Sequence, residues 1–278
     1  MILFYHRVAD DHPNPWSMTD ADFDEQISWM QDNFDMVSLE ECQRRISSGH
    51  NTRPTLSITF DDGYAENCNF AIPMLVKRKI PVTYFVTTHH TTNNVPFPHD
   101  VDLGQPLPPN TIESLRAMAN SGVEIGGHTR THPDLASITD PDQLFDEVIT
   151  ATKEMESLIG KPIRYFAFPF GRVEHLNPIV FKMLKENGII GVCTTQGGVN
   201  DIGGDTFNLQ RIHGDPIFAR MKNWLTGDPR LQKIEKYDWE KELESLTQIA
   251  KTAPAKPMLP PLSTSSDTST PANQQIHQ

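Results

Sequence analysis

The chain has 278 residues, enough for one large domain with a buried core. Its formal charge of −12 excludes the basic footprint of a nucleic-acid binder, and no apolar run reaches the roughly 18 residues that span a bilayer. Cys42, Cys68 and Cys193 are odd in number and lack any Cys-x-x-Cys spacing, which excludes a disulfide scaffold.

In chain order, MILFYHRVADD lacks the basic region and long apolar core of a signal peptide and reads as a first strand, Ile2–His6. A cytoplasmic location is the matching expectation. Thr19 with Asp22 forms a capping-box pattern, and Phe23, Ile27, Met30 and Phe34 then recur on one helical face. Short apolar runs predict further strands at Thr55–Asp61, Val82–Thr87, Val123–Gly127, Tyr165–Pro169, Ile189–Thr194 and Leu209–Ile212. A helix is expected from about Asp140 to Leu158, with Leu144, Val148, Met155 and Ile159 inward. Gly122, Gly160 and Gly188 each follow a helical stretch where a left-handed cap is wanted. Residues 89–110 read as a long loop rich in Pro and polar residues. A last helix, roughly Lys233 to Lys251, closes a single domain of residues 1–251. The tail, 252–278, has almost no core-forming residues and is expected to be disordered. The β-α alternation predicts a parallel α/β architecture, either an open sheet or a closed barrel.

In such folds ligands gather at the carboxyl ends of strands. Asp61-Asp62-Gly63 stands at one such end, where two adjacent carboxylates repel each other unless a positive charge holds them. GGHTRTH, residues 126–132, follows another; if that segment turns helically, His128 and His132 face one point. One carboxylate and two imidazoles make a normal Zn²⁺ set with a position left for water. Asp-Gly is also an ordinary turn, and two histidines four apart arise by chance, so the weight lies in their joint placement at strand ends. FAFPFG (166–171) and LQRIH (209–213) supply two more polar-ended strands. Alternation along a strand would send Asp61 and Asp62 to opposite sides, giving them different roles.

These residues resemble the polysaccharide deacetylases with NodB homology. Thr59-Phe60-Asp61-Asp62-Gly63 is similar to that family's first motif, whose first Asp is the base and whose second binds metal. His128-Thr129-Arg130-Thr131-His132 looks like its metal motif, and Phe168-Pro169-Phe170-Gly171 resembles the segment lining its substrate groove. Tyr5-His6 and Gly122–Gly126 also match, so the resemblance covers roughly residues 1–215. It implies a distorted (β/α)7 barrel and removal of N-acetyl groups from N-acetylglucosamine-containing glycans. It further implies a divalent metal, Zn²⁺ first, on Asp62, His128 and His132, and Asp61 as base. His213 is then the acid, the Phe170 N–H faces the oxyanion, and Pro169 and Tyr64 lie along the substrate.

Two departures stand out. Where many members carry an Arg that pairs with the catalytic Asp, this chain has Ala167, and Arg211 is the candidate replacement from another strand. The family's final Leu-x-x-His becomes Leu209 and His213, one residue wider. Two other readings compete: a Mg²⁺-dependent phosphoryl-transfer enzyme, which would leave both histidines unexplained, and a barrel that binds glycan without turnover. His99 and Asp100 of the long loop either shape the groove or lie on a solvated turn. Glu124 is a neighbour of the metal motif or a surface group.

Overall fold

The computed structural model describes residues 1–231, 234 and 236–252; the expected disordered tail lies outside the described residues, apart from its first position. Eight short segments run parallel to one another: β1 (Ile2–Tyr5), β2 (Thr55–Phe60), β3 (Val82–Val86), β4 (Glu124–Gly127), β5 (Tyr165–Ala167), β6 (Gly191–Thr194), β7 (Asn208–Gln210) and β8 (Ile212–His213). They are hydrogen-bonded in the order β7-β6-β5-β4-β3-β2-β1-β8. The two ends of this path are consecutive in sequence, separated only by Arg211. β7 pairs with β6, while β8 pairs with β1. One strand, kinked at Arg211, therefore spans the seam, and six others complete a nearly closed, distorted (β/α)7 barrel. The open-sheet alternative falls.

β1, β2, β3, β5, β6 and β7 are buried along their full length, as strands covered by helices outside and side chains inside must be. Gly126 in β4 shows how tight that packing is: a Cβ there would lie 2.3 Å from the Phe85 ring. Register aligns the carboxyl ends on one rim, with Tyr5 opposite Phe60, Val86 opposite Gly127, Ala167 opposite Cys193 and Phe4 opposite His213.

The helices form where caps and periodicity place them. Thr19 accepts the Asp22 N–H to start helix Asp20–Asn33, whose Phe23, Ile27 and Met30 are buried. Leu144, Val148, Met155 and Ile159 all face the core. Gly122, Gly160 and Gly188 have positive φ.

Three elements differ from the sequence expectation. The helix of residues 141–159 carries a π-turn at Asp146–Thr150. Residues 89–110 are no bare loop, since helices Thr88–Asn93 and Pro98–Asp102 lie in or across them, the second started by proline at its first position. The last helix is Trp239–Thr252, six residues shorter at its start than expected.

Candidate active site at the carboxyl rim

The chain leaves β2 by a sharp turn. Asp61 N–H still donates to the Tyr5 carbonyl at 2.9 Å, but Asp62 has a φ of +70° and Gly63 a φ of +84°. The separation of the two carboxylates comes from this left-handed turn, which corrects the expectation of simple strand alternation; Asp is among the few residues with a Cβ that adopt such φ with relative ease.

Beyond β4 the chain is not helical either. Thr129 and His132 both have positive φ, at +67° and +63°, and the Thr129 hydroxyl accepts the His132 N–H at 2.9 Å. These kinks, rather than a helical turn, bring the rings together, with centroids 5.0 Å apart. Glu147, which the sequence did not single out, locks the loop. Its carboxylate accepts the Arg130 N–H at 3.0 Å, the Thr131 N–H at 2.9 Å and the Thr131 hydroxyl at 2.6 Å. It sits in the π-turn, a feature common at functional sites.

His128 Nε2 and His132 Nε2 each lie 3.3 Å from Asp62 Oδ1. That oxygen is buried without a hydrogen-bond partner among the described residues. His128 Nδ1 lies 2.8 Å from the Ala167 carbonyl, which can only accept, so Nδ1 carries a proton and Nε2 presents a lone pair when the ring is neutral. Candidate ligand atoms from Asp62, His128 and His132 lie within 4.8 Å of one another. An orphaned carboxylate oxygen facing two imidazole nitrogens fits a divalent cation. Burial pushes the Asp62 carboxyl up, but the flanking imidazoles outweigh it and hold the group well below the usual carboxylate range. Burial pulls His128 down, and Asp62 more than restores it.

Arg211, fully buried, donates to both Asp61 oxygens, at 2.6 and 2.8 Å, and to the Thr59 hydroxyl at 3.1 Å. Its guanidinium lies 4.9 Å from the Phe4 ring centroid and 5.4 Å from that of Phe85. Burial raises the Asp61 carboxyl, yet Arg211 prevails and keeps it below its ordinary value. The charge absent at Ala167 is thus present from the seam strand.

Phe170 has a φ of +59° and an exposed ring 5.1 Å from that of His132. Its carbonyl accepts the Thr195 hydroxyl at 2.5 Å. No acceptor for its N–H is found among the described residues. His213 lies across the rim beside Phe4 and His6; burial, with His6 adding to it, pushes its pKa down to about 4.

A cleft of about 590 Å³ joins Asp61, Asp62, His128, His132, Phe170 and His213, with His6, Trp16 and His99 along its sides. Pro169 and Tyr64 do not line it. The Tyr64 ring is buried between Phe97 and Leu107, with its hydroxyl donated to Asp100 at 2.8 Å. Glu124 pairs with Arg164 away from the rim.

A family model described as polysaccharide deacetylase matches residues 48–191, just over half of the sequence. The chain belongs to the polysaccharide deacetylase family. YxkH of Bacillus subtilis is 24% identical over 223 residues, covering 77% of this chain and 71% of its own. The poly-beta-1,6-N-acetyl-D-glucosamine N-deacetylase of Staphylococcus epidermidis is 25% identical over 251 residues, 81% of this chain and 82% of that protein. The solved structure of IcaB from Ammonifex degensii shares the fold, with a TM-score of 0.66 at 23% identity over 81% of this chain and 96% of that one.

Proposed function

We propose that this chain is a metal-dependent hydrolase that removes N-acetyl groups from N-acetylated sugars in an oligo- or polysaccharide. The observation that carries the reading is the juxtaposition, in one cleft, of an orphaned Asp62 oxygen facing two imidazoles and an Asp61 carboxylate held ionised by Arg211. The similarity to a poly-N-acetylglucosamine deacetylase supports the substrate class.

Asp62, His128 and His132 would hold the cation, and the mixed nitrogen and oxygen set suits Zn²⁺. Bound there, the cation raises the acidity of a nearby water and polarises the acetyl carbonyl. Asp61 takes the proton from that water as it attacks; Arg211 keeps the carboxylate charged and oriented, at the cost of some basicity. The Phe170 N–H, which has no acceptor among the described residues, is the donor for the developing oxyanion. His213 hands a proton to the departing amine. It starts neutral at pH 7, because burial holds its pKa near 4, so it must first receive the proton it gives.

Two imidazoles in the ligand set disfavour Mg²⁺ phosphoryl transfer, which prefers oxygen ligands. The Arg211–Asp61 pair removes the reason for a glycan binder without turnover, since the carboxylate has its cation.

Acetate release from a panel of N-acetylated oligosaccharides, with and without chelator, is the test. Chelator-sensitive acetate release is expected; strict Mg²⁺ dependence on a phosphate substrate, or glycan binding with no acetate from any acetylated sugar, would overturn the reading.

A further inference from the structure

One wall of the cleft is built from two segments distant in sequence, and neither supplies a group given a role in the hydrolysis. The first is the turn between residues 9 and 17. Arg7, almost completely buried, staples it from beneath: its guanidinium donates to the Asp11 carbonyl at 2.6 Å, the His12 carbonyl at 3.0 Å and the Ser17 hydroxyl at 2.8 Å. Asn14 tightens the turn further, accepting the Trp16 N–H at 2.9 Å. The product is an indole ring left 46% exposed yet fixed in place, 5.4 Å from the His6 ring and facing the cleft. These bonds satisfy the buried guanidinium and at the same time hold the backbone that carries an exposed tryptophan beside the cleft.

The second segment is the helix Pro98–Asp102. Asn14 joins it to the first, donating to Asp100 Oδ1 at 3.3 Å. The other Asp100 oxygen accepts the Tyr64 hydroxyl at 2.8 Å, and Tyr64 Oη lies 3.0 Å from His99 Nε2. A phenol has one proton, and Tyr64 gives it to the carboxylate. His99 must therefore be the donor to Tyr64, which places a proton on Nε2 and, when the ring is neutral, leaves Nδ1 as an acceptor with no partner among the described residues. The ring is part of the cleft lining and stacks on Phe97, whose own edge meets His132.

We infer that Trp16 and His99 together form a saccharide subsite beside the metal-binding residues. The indole takes the apolar face of a pyranose with equatorial substituents, and His99 Nδ1 accepts one of its hydroxyls. The apolar platform requires axial C–H bonds on one ring face, as in gluco-configured N-acetylhexosamines. Tyr64 and Asp100 act as positioning residues, setting the His99 tautomer without touching sugar. The inference rests on the deacetylase reading for its substrate class, and the subsite serves a second sugar unit, so it favours oligomers over the monosaccharide.

Two measurements separate the subsite from the chemistry. Binding of an N-acetylglucosamine pentamer is measured by calorimetry in the Zn²⁺-loaded Asp61→Asn background, where turnover is blocked. Trp16→Ala and His99→Ala should each weaken it about tenfold, the scale of one aromatic platform or one neutral acceptor. His99→Asn, which keeps an acceptor near the Nδ1 position, should recover part of the loss. In the active protein the same changes should raise KM for the pentamer more than they lower kcat, with metal content unchanged. Acetate release with unaltered pentamer affinity and KM in both variants overturns the subsite alone. Pentamer binding that depends on Trp16 and His99 without acetate release sinks the hydrolytic reading and leaves the subsite standing. Neither binding nor acetate release overturns both.

Discussion

Arg211 and Asp61, 150 positions apart in the chain, form a two-point ion pair in the barrel interior. Removing one partner of such a pair strands the other in a low-dielectric site. Arg211→Ala should therefore lower stability by about 3–5 kcal/mol at pH 7. Without the guanidinium, burial governs Asp61 and its pKa rises, so the acidic limb of the kcat/KM profile should move to higher pH. Urea unfolding and a pH–rate profile check both; an unmoved acidic limb would remove Arg211 from the mechanism. The sign is that of any depressed carboxylate: its contribution is present above the ordinary pKa and lost as pH falls through the folded value.

On the proposed mechanism, the turn after β2 gives the neighbouring acids different tasks. Asp62→Ala should empty the cation site, whereas Asp61→Asn should retain metal and lose roughly 10²-fold or more in kcat. Metal analysis beside acetate release separates them. Retention in the first variant with loss in the second would reverse the assignment.

Glu147 holds three donors of the loop between His128 and His132. Glu147→Ala should weaken cation affinity by about 10–100-fold, the usual effect of removing a group that orients metal ligands. Competition with a graded chelator measures it. Unaltered affinity would mean that the left-handed turns at Thr129 and His132 hold the rings unaided.

His213 and His6 are both held below the ordinary histidine range, burial being the largest cause for each. The unfolded chain binds more protons than the folded one between pH 6.5 and about 4, so stability should fall as pH drops through that window. His213→Gln should flatten part of this dependence while leaving stability above pH 7 little changed. Thermal unfolding of the metal-free protein across pH 4–7.5 reads it; parallel curves for the two proteins would contradict the depressed pKa.

Gly171 has a φ of +68°, and a Cβ there would lie 2.9 Å from Thr195 backbone and side-chain atoms. Gly171→Ala should displace the neighbouring Phe170 N–H and reduce kcat with KM and metal content nearly constant, as expected for a donor used in the transition state. A loss in KM alone would assign this segment to substrate binding.

Much of the barrel was legible because buried strands of Ile, Val and Phe alternating with capped helices leave a periodic trace. Asp61, Asp62, His128 and His132 were legible for a different reason: polar residues at strand ends have few other uses. What could not be read is the backbone geometry that makes them converge. The positive φ values at Asp62, Thr129 and His132 leave no mark on hydrophobic period, and helical or strand spacing gave the wrong cause for a correct grouping. Tyr64 shows the converse: the family resemblance set it along the substrate, but the turn swings its ring under the helix Pro98–Asp102. Closure was equally hidden, because it depends on one strand changing partners at Arg211.

That change of partners ties assembly to chemistry. The residue at which the last strand passes from one neighbour to the other is also the counter-charge of Asp61, so the pair that aims this carboxylate forms only when the barrel closes. On the proposed mechanism, hydrolytic competence thus arrives with the final stave.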